Sequence, residues 1–395
     1  MRKTWCATAG WTLALTSGWV GTSALAETQT PTPAPSATNG HEAVAPCCAP
    51  ADVVAPRVAS EVEVPRASDA STDGMVWVPG GEFTMGGDDG FAQPHEKPLH
   101  RVRVAGFWMD TTEVTNAQFR AFVEDTGYVT VAERVVDWEQ IKQQLPPDTP
   151  RPPDHMLQPA SLVFSPPPYE VDFSDYRVWW KLVPGASWRA PRGPGTDLEG
   201  LDDHPVVQVC WEDAAAYAAW AGKQLPTEAQ WEFAARGGHD DHTTNVWGEE
   251  PVDPTRANYW TGKFPRKNTA EDGYVYTNPV RAFPPNAFGL YGMAGNVWEW
   301  CADLYRVDAY AQRVRATPRD GDETPVFVEP TGPSQSFDPR NPYAPQLRSQ
   351  RGGSFLCNDD YCANYRPSSR ESASPDSAMN HLGFRTVLIA PGPKE

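Results

Sequence analysis

Charged and apolar residues alternate along His100-Arg-Val-Arg-Val-Ala105, the period of a strand with one buried face. Upstream, Met75-Val-Trp-Val-Pro-Gly-Gly-Glu-Phe-Thr-Met-Gly86 reads as a strand, a Pro-Gly turn and a second strand. Elsewhere the period lengthens to that of a helix. Thr115-Asn-Ala-Gln118 is a capping box that places Phe119, Phe122 and Val123 on one face, with Gly127 as the C-terminal stop. Thr227-Glu-Ala-Gln230 repeats that logic ahead of Trp231-Glu-Phe-Ala-Ala235, and Gly237-Gly238 ends it. Between them, residues 213 to 221 form an alanine-rich helix carrying Tyr217 and Trp220. Residues 140 to 205 and 306 to 348 show little periodicity and many prolines, which predicts long ordered loops. The pattern predicts one α+β domain over residues 73–392, with low regular secondary structure, and not an alternating βαβ protein.

The start of the chain is different. Arg2 and Lys3 precede an uncharged, mostly apolar run from Trp11 to Val20, and Ala24-Leu25-Ala26 is a small-x-small cleavage site. Residues 1–26 thus read as a signal peptide, with export to a periplasmic or extracellular compartment and no membrane anchor after cleavage. From Glu27 to Thr72 there is no aromatic residue and proline recurs, so residues 27–72 are expected to be a disordered linker. Within it, Cys47-Cys48 is either a mobile dithiol without a role or a tethered redox or copper-handling arm.

With 395 residues, Trp 16, Tyr 13 and Phe 15, the chain has ample material for a core, while Pro 41 and Gly 31 favour turns. The formal charge of -18 becomes -20 once Arg2 and Lys3 are removed, which argues against nucleic-acid and anionic-membrane partners. Cys6 leaves with the signal, so six of the seven cysteines remain in a compartment that tolerates disulfides.

The candidate chemistry is sparse. No zinc-protease motif, facial iron triad, P-loop, dinucleotide-binding glycine fingerprint or Gly-x-Ser-x-Gly elbow occurs. His95 and His100 flank a turn and read as surface or loop residues. Ser354 follows two glycines but has no histidine partner near it in sequence. Asn258-Tyr259 with Glu271-Asp272-Gly-Tyr274, and Gly292-Met-Ala-Gly295-Asn-Val-Trp-Glu299, offer mixtures of carboxylate, amide and carbonyl oxygen that suit either ordinary turns or a hard cation such as calcium. Cys210 and Cys301 stand in apolar surroundings and read as small buried groups. Cys357 and Cys362, spaced behind a Gly-Gly-Ser turn and expected to be accessible, fit a disulfide, a soft-metal clamp or a redox couple. Of the metals, a two-sulfur site suits Cu(I).

Over residues 75 to 388 the sequence resembles the formylglycine-generating enzymes, or sulfatase-modifying factors. Fold-marking stretches are Trp77-Val-Pro-Gly-Gly-Glu-Phe-Thr-Met-Gly86, Thr112-Glu-Val-Thr-Asn116, His204-Pro-Val-Val-Gln-Val209 and Leu225-Pro-Thr-Glu-Ala-Gln-Trp-Glu232. Asn286-Ala-Phe-Gly-Leu-Tyr-Gly292, Gly295-Asn-Val-Trp-Glu-Trp300 and Gly383-Phe-Arg385 complete them. The discriminating stretch is Gly352-Gly-Ser-Phe-Leu-Cys357-Asn-Asp-Asp-Tyr-Cys362-Ala-Asn-Tyr-Arg366, with Pro375-Asp-Ser377 beyond.

The resemblance implies a single catalytic domain of C-type-lectin-like fold. It also implies O2-dependent oxidation of the cysteine in a Cys-x-Pro-x-Arg segment of an unfolded sulfatase to Cα-formylglycine, with a thiol reductant. It assigns Cys357 and Cys362 as Cu(I) ligands and Ser354 and Trp298 as active-site residues. Two Ca2+ sites map to Asn258, Tyr259, Asp272 and Tyr274, and to Gly292, Gly295, Val297 and Glu299. The tyrosines, both glycines and Val297 would act through carbonyls, and Gly292 replaces an asparagine of some relatives. His381 stands where active members often have asparagine near the peptide groove.

The alternative is a non-catalytic calcium-binding module of the same fold, with Cys357–Cys362 a structural disulfide. An iron sulfoxide synthase on this fold is disfavoured because its His/carboxylate triad is missing.

Overall fold

A computed structural model describes residues 70–142, 148–239, 243–316, 325–340 and 346–393. The signal segment, nearly all of the linker and Cys47-Cys48 lie outside the described residues.

Local chemistry sets the helices where the sequence placed them. Helix Asn116–Thr126 is capped by Thr115, whose side chain accepts from the Gln118 amide at 3.2 Å while Gln118 accepts from the Thr115 amide at 2.9 Å. Gly127 closes it in the left-handed conformation, φ 68°. Helix Glu228–Ala235 carries the same reciprocal box at Thr227 and Gln230. The alanine-rich helix spans Trp211–Trp220, two residues earlier than predicted, because Asp213 accepts from the Cys210 amide at 2.9 Å and caps it there.

Strands Met75–Val78 and Gly81–Met85 lie on either side of the predicted turn but do not pair with each other. The first runs antiparallel to Phe107–Asp110 and the second antiparallel to His100–Val104. Gly80 makes this possible: at φ +72° it lies against the backbone of 104–106, where a Cβ would come within 2.6 Å of Ala105. Phe107–Asp110 also pairs with Val387–Leu388, so the end of the domain closes on its beginning.

The segments read as loops carry more structure than their periodicity suggested. Ala160–Phe164 pairs antiparallel with Trp180–Pro184, helix Ala309–Ala316 forms, and Val326–Val328 runs parallel to His100–Val104. Ala160–Phe164 is buried on both faces, so it shows no alternation to find.

The site rests on a four-stranded sheet in the order Arg370–Ala373, Arg348–Arg351, Trp298–Leu304, Leu382–Gly383. Its register sets Arg351 opposite Glu299 and Leu382 beside Trp298. Trp298, the Gly352–Ser354 turn and His381 therefore emerge at one end of the sheet. Beneath it, Arg351, Glu232, Arg236, Glu228 and Arg370 form a buried ionic network.

Candidate active site

Gly352 and Gly353 leave the sheet at φ 93° and 70°. At Gly353 a Cβ would lie 2.7 Å from the backbone of Asn364 and Tyr365, so the turn is pressed against the far end of the cysteine loop. The Ser354 amide then donates to Cys357 Sγ at 3.4 Å, and the Cys357 amide donates to the Ser354 carbonyl at 2.9 Å. The amides of Tyr361, Cys362 and Ala363 all converge on the Asn358 carbonyl at 3.0 to 3.1 Å, which folds Cys362 back toward Cys357. Cys357 is fully buried and Cys362 half-buried, so the pair is less open than its polar neighbours suggested. Asn358 and Tyr361 are also buried, while Asp359 and Asp360 between them stand exposed at the tip of the loop.

Ser354 does have a histidine partner. Its hydroxyl lies 3.0 Å from His381 Nδ1, a residue 27 positions later brought in by the parallel edge strand. The sequence signal was absent because the contact is made only through the sheet. This pair is not a hydrolase dyad. Burial lowers the His381 pKa to about 3, far from the value a general base needs near neutral pH. His381 Nε2 is buried with no hydrogen-bond partner among the described residues, and its ring packs on Trp180 at 4.8 Å. Trp298 is fully buried and donates its amide to the His381 carbonyl at 2.9 Å.

A pH prediction follows from that burial. The unfolded chain protonates His381 near pH 6.5, whereas the folded protein does so only near pH 3. Stability is therefore lost as pH falls below 6.5, by about 1.4 kcal/mol per pH unit from this residue. His381→Asn should remove that component, so that between pH 6.5 and 5 the variant loses about 2 kcal/mol less than wild type in urea titrations. Parallel losses in both proteins would refute the assignment.

Aromatic rings wall the cysteines. The Trp260 amide donates to the Cys357 carbonyl at 2.9 Å, Tyr361 stacks on Phe264 at 4.7 Å, and Trp179 meets both rings edge-on. Phe173, 36% exposed, packs on Tyr361 at 5.0 Å and carries this apolar surface out to solvent beside the loop.

The oxygen clusters divide. Asp272 accepts from the Tyr259 amide at 3.1 Å and the Tyr274 amide at 3.0 Å, drawing the first predicted set together. Asn258 Nδ2 is committed to the Tyr276 carbonyl at 2.8 Å, which leaves Asn258 Oδ1 buried without a partner among the described residues. Burial also raises the Asp272 pKa, as for a carboxylate short of positive charge. This set fits a hard cation. In the second set Gly295 abuts Asn258, where a Cβ would be 2.0 Å from the Asn258 carbonyl oxygen. The Glu299 carboxylate accepts from Arg385 through two 2.7 Å bonds and from Trp231 at 2.8 Å. Sequence reading missed Glu113, which lies against Gly292 and accepts from Asn296 Nδ2 at 2.8 Å. Burial pushes the Glu113 pKa up to about 7.

Two histidines read as surface or loop residues differ from expectation. His95 and His100 are buried, and burial lowers the His100 pKa to about 4. Cys210 and Cys301 are buried thiols, as their apolar context implied. Among the described residues no three His, Cys, Asp or Glu side chains converge as a metal site, so a soft-metal site rests on the cysteine pair alone.

Known proteins share this sequence over most of its length. The model of the sulfatase-modifying factor enzyme 1-like domain matches residues 60–390. The formylglycine-generating enzyme of Thermomonospora curvata is 43% identical over 331 residues, 82% of this chain and 97% of that protein. The formylglycine-generating enzyme of Streptomyces coelicolor is 42% identical over 339 residues, 84% and 95% of the two chains. The inactive C-alpha-formylglycine-generating enzyme 2 of Mus musculus is 36% identical over 329 residues, 82% and 89% of the two chains.

Proposed function

The chain belongs to the formylglycine-generating enzyme family, and from that premise we propose that it converts a sulfatase cysteine to Cα-formylglycine. The observation that carries this reading is the loop from Ser354 to Cys362, which sets one fully buried and one half-buried cysteine among aromatic rings, with a backbone amide aimed at one sulfur. The substrate is an unfolded sulfatase segment of the form Cys-x-Pro-x-Arg. Its CH2–SH carbon becomes an aldehyde and its sulfur leaves as sulfide. O2 accepts four electrons, two from that carbon and two from a thiol reductant that ends as a disulfide.

Cys357 and Cys362 would hold Cu(I), a soft ion suited to a two-sulfur donor set, and the ion would supply the electron transfer to O2. The protein's own groups do the rest. The Ser354 amide donates to the Cys357 sulfur and so fixes its position. Neutral His381 fixes the Ser354 hydroxyl, and fully buried Trp298 holds the His381 backbone by donating its amide to that carbonyl. Tyr361 and Phe173 offer the incoming peptide an apolar surface from solvent toward Cys362. We propose Ca2+ as a structural cofactor, first at Asn258, Tyr259, Asp272 and Tyr274, and second at the 292–299 turn. The basic, apolar and small-x-small order of residues 1–26 supports export, to the periplasm or the medium.

The test is incubation of the copper-loaded protein, residues 27–395, with a Cys-x-Pro-x-Arg peptide and a thiol in air, read by peptide mass. The expected product carries an aldehyde in place of CH2–SH. Unchanged mass with no copper retained would favour the non-catalytic module, as in the inactive mouse relative.

A further inference from the structure

The residue after Cys362 is held at both of its peptide bonds. Ala363 stands in the left-handed region at φ 48°, a conformation that a residue with a side chain keeps only when its surroundings impose it. Its amide donates to the Asn358 carbonyl at 3.0 Å, beside the Cys362 amide on the same oxygen. Its carbonyl accepts from Arg366 Nε at 3.1 Å. The Cys362 end of the loop is thus tied to one guanidinium.

That guanidinium is in turn fixed from another segment. Arg366 is fully buried and forks onto Glu96, with Nη1 at 2.9 Å from Oε2 and Nη2 at 2.7 Å from Oε1. Nη1 also reaches Ser368 Oγ and Asp89 Oδ2, each at 3.0 Å. Glu96 is fully buried too, and its carboxylate accepts from the Gln93 amide at 3.0 Å and the Ser368 hydroxyl at 2.8 Å. Burial alone would raise the Glu96 pKa, but Arg366 beside it holds the carboxyl below its ordinary value, so the pair is ionised. Gly87 closes the cradle: a Cβ there would lie 2.6 Å from Ser368 Oγ and 2.9 Å from Glu96 Oε2. Cys357 is served by other groups, since its sulfur takes the Ser354 amide and its carbonyl takes the Trp260 amide.

We propose that Glu96, acting through Arg366, is a positioning residue for Cys362, while Cys357 is positioned separately by the Ser354 turn. Each sulfur of the pair then has its own support, and the two can be loosened one at a time. Without the fork, the Ala363 carbonyl loses its donor, the left-handed backbone relaxes, and Cys362 moves relative to Cys357. The inference rests on the reading that the two sulfurs act as a unit, and a small displacement between groups that act together is costly.

The test compares wild type with Glu96→Gln, which keeps the volume but removes the charge and one acceptor of the fork. In the reduced, metal-free protein, iodoacetamide labelling is read at each cysteine by peptide mass mapping. Cys362 should label about tenfold faster in the variant through easier local opening, and Cys357 at the wild-type rate. In the copper-loaded protein kcat should fall about tenfold while KM for the peptide stays unchanged. Equal acceleration at both cysteines would show general loosening and overturn the proposal, as would no acceleration at Cys362 or a change confined to KM. Asp89→Asn, which removes the half-buried acid from the same guanidinium, should behave as wild type; an effect as large as that of Glu96→Gln would refute the role of the fork. If Glu96→Gln does not fold, Arg366→Lys carries the test, because lysine keeps the charge but cannot hold Glu96 and Ala363 together. Wild-type labelling of Cys362 in that variant would refute the proposal. Selective labelling of Cys362 in Glu96→Gln, with the peptide left unmodified even by wild type, would remove the catalytic reading and keep this one.

Discussion

Cys357→Ser and Cys362→Ser are each expected to abolish formylglycine formation, by roughly three orders of magnitude or more, while the protein stays folded. Two sulfurs acting on one ion are a unit. The double variant should therefore lose no more activity than either single one, as when members of one catalytic set are removed together. Serine matches cysteine in shape but offers a hard oxygen, which a soft monovalent copper ion binds poorly. Copper retention, measured by metal analysis after desalting, should fall with activity in both variants. The calcium-dependent rise in thermal midpoint should persist, because those sites use oxygen ligands from other segments. The two positions differ in one respect. Cys357 is fully buried and receives the Ser354 amide, so its serine variant should also lose some stability, whereas half-buried Cys362 should tolerate the change. If either single variant kept more than a tenth of wild-type turnover, the pair would be a disulfide or a bystander and the site would have to be sought elsewhere.

What the sequence disclosed divides along physical lines. Thr115, Gln118, Thr227 and Gln230 satisfy backbone groups three residues away, so their meaning is local and both helices were legible. The Gly-Gly-Ser lead-in to Cys357 was legible for the same reason: the close approach of Gly353 to Asn364 and Tyr365 is a short-range event. Long-range pairing left no such trace. Pro79-Gly80 looks like the turn of a hairpin, yet it sends its two strands to different sheets. Whether Ser354 has a histidine partner is decided by Leu382 pairing with Trp298, a contact no local pattern encodes. Glu113 was missed because a carboxylate beside a threonine and a valine reads as ordinary. Only folding shows that Arg385, 3.9 Å away, gives its two 2.7 Å bonds to Glu299 instead.

Glu232→Gln is expected to be strongly destabilising for a conservative change, and it should reach the cysteines without touching them. Glu232 is fully buried on helix Glu228–Ala235. Its Oε1 accepts from Arg236 at 2.8 Å and 3.1 Å and from the Gly86 amide at 2.9 Å, and its Oε2 accepts from Arg351. Glutamine keeps the volume but removes the charge, and its amide must point a donor at one of those partners. Glu228 cannot substitute, since Arg370 holds it through two 2.7 Å bonds and Arg351 lies 3.6 Å away. Breaking one partner of a buried pair costs about 3–5 kcal/mol. In a domain of this size that is a fall in thermal midpoint of roughly 4–8 °C. Arg351 is the last residue of its strand and the next two are Gly352 and Gly353, so loosening its guanidinium loosens the turn that aims the Ser354 amide at Cys357. Turnover of the peptide should drop by about tenfold or more at a temperature where the variant is still folded, since small displacements at a reacting centre are costly. A double-mutant cycle with Arg351→Met separates this from a general loss of packing. The two changes should be non-additive by about 2 kcal/mol, within the range seen for residues sharing one ionic network. Additive effects would show that Glu232 supports the fold through Gly86 and Arg236 alone, and that the cysteine loop is held by its own turns.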